Sequence, residues 1–279
     1  MKKGKILVVG SVVIDTIFGE NFYGGTGANI AYGLGLLGAN PMLFSLVGKD
    51  FKKDFSPHLK KAGVTSRVFI DKNAKTANFS ILINKKETQV GVWKPNAYKN
   101  ISKTPLTTTI KPKELKKVSV AIFSTGTPHS AIKHLQEFKN FSQDSLTIFD
   151  PGQMIAFYSR KKLLECLKMA NLFILNEMEY KQAKKILQKD PVSVCKNLNL
   201  TFIKTLGRKG SVIFQKGKKI TIKAVIPKKV LDTTGAGDAY RAGLIFKLWQ
   251  GKTLSEACAF GAKISARNVE FVGCQQYTV

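Results

Sequence analysis

The densest chemical possibilities in the chain lie in one run, Asp232-Thr233-Thr234-Gly235-Ala236-Gly237-Asp238-Ala239-Tyr240-Arg241-Ala242-Gly243. It follows a strand-like segment at 221–225 and a lysine-rich loop, and it precedes an apolar helical stretch at 239–248. Three small residues therefore stand where a loop turns into a helix. The amides of a first helical turn have no acceptor within the helix, and the macrodipole is positive there. Gly235, Ala236 and Gly237 thus form a candidate anion hole. Asp238 sits at the same terminus. Its carboxylate reads either as a helix cap or as a general base beside a transferring phosphoryl group. Arg241, one turn on, reads either as a phosphate ligand or as an ion-pair partner.

Two other glycine motifs are spelled correctly but misplaced. Gly33-Leu34-Gly35-Leu36-Leu37-Gly38 has G-x-G-x-x-G spacing, yet it closes a helix instead of following a strand and opening one. Helix packing explains those glycines, not a dinucleotide. Gly251-Lys252-Thr253 imitates the end of a P-loop, but the earlier glycine is replaced by Phe246. Thr253 and Glu256 instead spell a capping box for a helix at 254–267.

The elements that must position the loop alternate. Residues 5–10 form a short apolar strand, 27–37 a small apolar helix stopped by Gly38, 41–47 a second apolar run, and 56–61 a helix ended by Gly63. Segments 67–71, 76–84 and 88–93, with turns at Lys72-Asn73 and Lys85-Lys86-Glu87, read as an antiparallel meander. Strands at 118–123, 146–149, 172–175, 201–206 and 211–215 then alternate with helices at 130–138, 161–169, 177–187 and 192–198. Such alternation predicts an α/β protein with a mostly parallel sheet covered on both faces. The meander would be a small inserted sheet, its Phe79, Ile81 and Trp93 serving as a local core or as a cover over a ligand.

At 279 residues the chain fits one large domain, and its ordinary hydrophobic content of 44% excludes a disordered chain. No apolar run reaches the roughly 18–20 residues of a membrane span, and 6–9 is too short for a signal peptide's apolar region. Cys166, Cys195, Cys258 and Cys274 are widely spaced and fit reduced packing residues of a cytoplasmic protein. The net charge is +27, with forty lysines and five arginines. Specific nucleic-acid readers favour arginine for bidentate contacts, whereas these lysines are dispersed in short pairs. A solvated, lysine-rich surface is the reading they support, ahead of a nucleic-acid partner.

Other motifs accompany the loop in a fixed order: Gly10-Ser11 with Asp15, Gly24-Gly25-Thr26-Gly27-Ala28-Asn29 entering a helix, Asn176-Glu177-Met178-Glu179, and Gly207-Arg208-Lys209-Gly210. Together with Gly235-Ala236-Gly237-Asp238 they resemble the signatures of the ribokinase-like, phosphofructokinase B-type (pfkB) carbohydrate and nucleoside kinases, across essentially the whole chain. Tyr240-Arg241, Phe149-Asp150-Pro151-Gly152-Gln153 and Val272-Gly273-Cys274-Gln275-Gln276 are similar to bacterial adenosine kinase-type members. Val13 stands where ribokinases usually carry Asn, and Thr26 where Lys or Ser is frequent. Only eight residues, 16–23, separate Asp15 from Gly24, shorter than the family's usual excursion.

The resemblance implies a three-layer α/β/α ribokinase-like fold over 1–279, with a small, reduced β-sheet lid from about 16–23 and 66–94, resting mainly on the latter. It implies an ATP-dependent kinase acting on a primary hydroxyl of a small molecule, adenosine at its 5′-hydroxyl first, with fructose, ribose or a similar sugar as the alternative. Asp238 would be the base, and Gly235, Ala236 and Gly237 the anion hole. Asp15, Gly24, Gly25 and Asn29 would bind substrate, although Asp15 also reads as a strand-end cap and Asn29 as a helix N-cap. Asn176, Thr205, Gly207, Gly210 and Arg241 would lie along ATP. Asn176 and Glu179 would order Mg²⁺ through water, and backbone around Asp232 and Thr234 would take a monovalent cation such as K⁺. The short lid fits a monomer or a homodimer. A dinucleotide-dependent oxidoreductase and a non-catalytic nucleotide- or nucleic-acid-binding protein are the competing classes.

Overall fold

A computed structural model describes residues 4–17, 19–83 and 89–279, with the side chains of 17 and 81–90 outside the description. Among the described residues, nine strands form one sheet in the order Lys218–Ile222, Ser211–Gln215, Thr201–Thr205, Leu172–Asn176, Leu146–Phe149, Val118–Phe123, Lys5–Val9, Met42–Phe44, Thr65–Ser66. Pairing is parallel from Thr201–Thr205 to Thr65–Ser66. The two strands at the other edge are antiparallel.

The apolar runs are continuous because both faces are covered. In Lys5–Val9, Leu7 and Val9 join one core cluster, and Ile6 and Val8 join the other. Helices Pro128–Phe141, Arg160–Met169, Glu177–Leu187 and Pro191–Asn197 cover the first face through Leu135, Phe138, Leu163, Leu167, Ala183 and Val194. Helices Thr26–Leu36, Ala236–Trp249 and Leu254–Asn268 cover the second through Ile30, Leu244 and Ala257. The three-layer α/β/α fold is thereby in place. Gly33 and Gly35 belong to this packing. A Cβ on Gly33 would run into Tyr277 and Ala242, and one on Gly35 into the backbone of Ala62. Thr253 and Glu256 form the capping box of the last helix. Among the described residues, no helix is long and apolar enough to cross a membrane.

The second sheet departs from the meander expected at 67–93. Phe69–Asp71 pairs in parallel with Leu46–Gly48 and takes no part in it. Its four strands are ordered Glu20–Gly24, Val13–Ile17, Ala77–Ile83, Gln89–Lys94. Half of it therefore comes from the segment before the first helix, and the central pair, Val13–Ile17 with Ala77–Ile83, is parallel. The apolar run at 41–47 also splits, Met42–Phe44 going to the main sheet and Leu46–Gly48 to the small pair. The expected turn at Lys85-Lys86-Glu87 and the Ile81 side chain lie outside the described residues.

Candidate active site

Parallel strands all end on one edge of a sheet, and ligands of such folds gather there. Here Gly10, Ser124 and Asp150 follow directly on three strand ends, while Asn176 and Thr205 are the last residues of two more. The loop singled out above comes to the same edge. Helix Ala236–Trp249 starts after Gly235, whose φ of 75° is the left-handed conformation that glycine tolerates. A Cβ at Gly235 would stand 2.9 Å from the Cβ of Cys274 and 3.1 Å from Asn268 Oδ1. The helix begins at Ala236, three residues earlier than its apolar stretch, so Asp238 lies inside the first turn. Helix geometry leaves the Gly237 and Asp238 amides without an intrahelical acceptor. The Ala236 amide is partly engaged, donating to Thr233 O at 3.3 Å.

Asp238 is half-buried, and its Oδ2 accepts from Asn29 Nδ2 at 2.8 Å. Those residues are 209 apart in the chain, so the second glycine motif and the anion-hole helix meet at this carboxylate. Burial pushes the Asp238 pKa up to about 7, with Arg241 and the Asn29 hydrogen bond acting against that rise and Asp150 and Glu179 adding to it. It is a carboxylate tuned toward neutrality, as a general base working near pH 7 requires. Asn29 does not cap its helix, since the N-cap position belongs to Gly25.

Arg241 is buried and engaged with partners inside the protein. Its Nη2 donates to Asp150 Oδ1 at 2.9 Å, its Nε pairs with Asp150 Oδ2, and its Nη1 donates to Gly237 O at 3.0 Å. The ion-pair reading is the one realised, and the guanidinium tethers the anion-hole turn to the end of strand Leu146–Phe149. Burial alone would lower the Arg241 pKa. Asp150, Glu179 and Asp238 outweigh it and keep the side chain charged.

Asp15 lies in the middle of Val13–Ile17, and burial pushes its pKa up to about 7. It is therefore not a strand-end cap. A Cβ at Gly24 would collide with the Asp15 carboxylate, and one at Gly25 would come within 2.7 Å of Ser11 O and Val13 N. The glycine pair is thus needed for the chain to pass beside Asp15. Burial pushes up the pKa of the Cys274 thiol on the C-terminal segment, and the charges of Asp238, Asp15 and Asp232 add to the rise.

Asn176 and Glu179 hold each other. Asn176 N donates to Glu179 Oε2 at 2.8 Å, and Glu179 N donates to Asn176 Oδ1 at 2.9 Å. This capping box opens helix Glu177–Leu187, and the N-x-x-E spacing is the one such a box needs. Glu179 is buried, and its pKa is raised by burial and by Asp150, with Arg241 opposing. Thr205 ends its strand, with Oγ1 donating to Leu175 O at 3.5 Å. Gly207 and Gly210 bracket a tight turn closed by Leu206 N to Gly210 O at 2.8 Å, and the backbone of 222–224 passes directly against Gly210. Asp232 caps its own loop, accepting from Thr234 N at 2.8 Å and from Gly273 N at 2.9 Å. Desolvation raises its pKa, but the Thr234 hydroxyl, donating at 2.6 Å, and those two amides together outweigh it and lower the pKa. Sequence reasoning missed the apolar residues between these turns. Val225, Ile226, Val230 and Leu231 are exposed, Ile226 at 91%, in the segment between the 207–210 turn and the Asp232 loop. Four exposed aliphatic residues in one short segment were the available signal.

The pfkB family carbohydrate kinase profile matches residues 5–278. The chain belongs to that family. It is 32% identical to a nucleoside kinase of Methanocaldococcus jannaschii, over 98% of this chain and 93% of that protein. It is 28% identical to a nucleoside kinase of Methanothermobacter thermautotrophicus, over 92% of this chain and 81% of that one. The crystal structure of the M. jannaschii nucleoside kinase, an archaeal member of the ribokinase family, superposes with a TM-score of 0.87 at 30% identity, covering 99% and 94% of the two chains. A Burkholderia thailandensis nucleoside kinase in complex with inosine, 23% identical, shares the fold with a TM-score of 0.83, covering 98% and 94%. This pfkB protein is accordingly an ATP-dependent kinase acting on a hydroxyl group of a nucleoside or sugar.

Proposed function

We propose that this kinase transfers the γ-phosphate of ATP to the 5′-hydroxyl of a nucleoside, with adenosine first among the candidates. The observation that carries the reading is the meeting of Asp238 and Asn29 beside a helix N-terminus. One carboxylate with a pKa near 7 stands in the first turn of a helix and is hydrogen-bonded by Asn29, which lies on the helix that follows the Gly24-Gly25 pair beside Asp15. Two nucleoside kinases among the relatives, alignable over almost the whole chain, favour the nucleoside over the sugar.

In this reading Asp15 accepts hydrogen bonds from adjacent sugar hydroxyls, which selects against analogues lacking them. Asp238 takes the proton from the attacking hydroxyl, a contribution of roughly 10²–10⁴-fold. The free amides after Gly235 stabilise charge growing on the phosphoryl oxygens, each donor contributing about 3–4 kcal/mol. Arg241 acts behind that turn, holding the Gly237 carbonyl. The exposed aliphatic residues at 225–231 supply an apolar surface for the base of ATP. The four-stranded sheet carrying Asp15 serves as the lid, with Phe79 packed against the core on the first face of the main sheet.

ATP fits the donor set, since a left-handed glycine and free amides open a helix there. Mg²⁺ supplies charge neutralisation for phosphoryl transfer when bound. Among the described residues, no group of three or more acidic, histidine or cysteine side chains is arranged to hold it. Glu179, already bonded to Asn176, would therefore act through water, with the nucleotide phosphates as the inner ligands. A monovalent cation also fits. Asn268 Oδ1 is buried without a partner while its Nδ2 donates to Thr234 O at 3.3 Å, which leaves an orphan oxygen beside the Asp232 loop.

The test is an ADP-release screen over nucleosides and sugars with ATP and Mg²⁺. The reading expects a nucleoside, adenosine foremost, to give the highest kcat/KM. A sugar or sugar phosphate outperforming all nucleosides would overturn the substrate class while leaving the kinase chemistry intact.

A further inference from the structure

Helix Ser56–Lys61 lies outside every motif of the reaction, yet a hydrogen-bond chain runs from it to the reacting carboxylate. His58 Nε2 and Gln275 Oε1 are 3.1 Å apart. Gln275 Nε2 donates to Asn29 Oδ1 at 2.8 Å, and Asn29 Nδ2 donates to Asp238 Oδ2 at 2.8 Å. A carbonyl oxygen only accepts, so the first of these bonds exists only when His58 Nε2 carries the hydrogen. Every link then points the same way, from His58 toward Asp238.

The orientation is locked at both amides. Gln275 and Asn29 are buried, so neither can exchange its partners for water. Turning one amide over would set two acceptors or two donors face to face at both of its ends. The imidazole is fixed as well. It stacks on Tyr23, with centroids 4.1 Å apart and planes 17° apart, and on Tyr32 at 5.1 Å and 5°. Tyr23 is itself anchored by its hydroxyl donating to Asp54 O at 2.9 Å.

We propose that His58 and Gln275 are positioning residues for the general base: they hold Asn29 with its nitrogen toward Asp238, so that the carboxylate is always met by a donor and kept in its proton-accepting form. The proposal rests on Asp238 being the base. Reversed, the chain would present Asn29 Oδ1, which Asp238 could bond only when protonated and unable to accept a proton. Other groups also face Asp238, namely Arg241 on its own helix, Asp150, Glu179, and Cys274 and Tyr277 from the C-terminal segment. Among the described residues, Asn29 is the side chain that hydrogen-bonds it. Around His58 stand Lys61, Tyr23, Tyr32 and Gln275. Burial lowers the ring's pKa, the Gln275 bond opposes that and Lys61 adds to it, which leaves the imidazole neutral at pH 7 and its tautomer set by Gln275.

Gln275→Glu tests this with almost no change of shape, because it replaces the donating nitrogen by an acceptor. Asn29 must then turn its nitrogen to the introduced carboxylate. The acid limb of kcat against pH is expected to move about one pH unit alkaline, with kcat at pH 7 falling about fivefold and KM for ATP unchanged. The ¹³C carboxyl titration of Asp238 without substrate should move in the same direction. His58→Phe keeps the ring stack, removes the donor, and should shift the limb the same way by less. A folded Gln275→Glu enzyme with the wild-type pH profile overturns the proposal. Should that variant not fold, an unshifted limb in His58→Phe overturns it. Asp238→Asn separates the two levels. Wild-type turnover there removes the base assignment itself, whereas a large loss beside an unshifted Gln275→Glu profile removes only the relay.

Discussion

Asp15 and Asp238 each have a pKa near 7, and both are raised by burial, but in different electrostatic settings. Asp15, on the four-stranded sheet, is raised by burial alone. Asp238, at the helix N-terminus, is raised by burial against the pull of Arg241 and an Asn29 hydrogen bond. The first is a desolvated acceptor, the setting in which the proposed hydrogen bonds from substrate hydroxyls would count most. The second accepts a hydrogen bond from Asn29, and Arg241, tied to Asp150 and to the Gly237 carbonyl, supplies a nearby positive charge. The proposed roles follow that difference, with binding assigned to Asp15 and chemistry to Asp238.

The sharpest way to break the contrast is Asp238→Asn, which should lower kcat by roughly 10²–10⁴-fold while ATP binding persists; rapid-quench turnover measures it. Arg241→Met comes next. It leaves Asp150 and Glu179 buried without their cation, so stability should drop by about 3–5 kcal/mol, read as a fall in denaturant midpoint. Asp15→Asn should act mainly on KM for the nucleoside, costing about 1.5–3 kcal/mol of binding, with kcat much less affected in steady-state assays. If kcat fell instead, the division of labour would be wrong. A smaller effect concerns the ligand-free protein. Both aspartates have folded pKa values above the usual unfolded value near 4. Their protonated forms are favoured on folding, so this contribution is full below pH 4 and is lost as pH rises to about 7. Thermal melts should show that decline, and Asp15→Asn should flatten it. The smallest is Lys5→Ala. The Lys5–Glu114 pair is exposed on the lysine side at 43%, and its removal should change stability by less than about 1 kcal/mol.

The two regions were not equally legible in the sequence. The anion-hole loop, the capping box at Thr253 and Glu256, and the helices Ser56–Lys61 and Glu177–Leu187 rest on short-range signals, and the structure places them where those signals point. The sheet around Asp15 rests on the parallel pairing of Val13–Ile17 with Ala77–Ile83, about sixty residues away. No local pattern encodes such a partner, so 16–23 joined the lid only through the family resemblance, while Phe69–Asp71 was drawn into the wrong sheet. Arg241 carried two readings until Asp150, 91 residues earlier, came to meet it. Gln275 and Asp150 lay in stretches noted only for family likeness, and His58 carried no motif. Their roles exist only once the chain is folded.

The division between the two carboxylates is tested most directly by the pH dependence of kcat and kcat/KM in the wild type, Asp15→Asn and Asp238→Asn. In the wild type, kcat should fall about tenfold per pH unit below a limb near pH 7, because kcat reports the substrate complex, in which Asp238 is the group that must be deprotonated. Asp15→Asn should keep that limb in kcat and remove one titrating group from kcat/KM. Asp238→Asn should leave a small residual rate without the limb. A limb that survives in Asp238→Asn, or vanishes from kcat in Asp15→Asn, would contradict the assignment of base and binder.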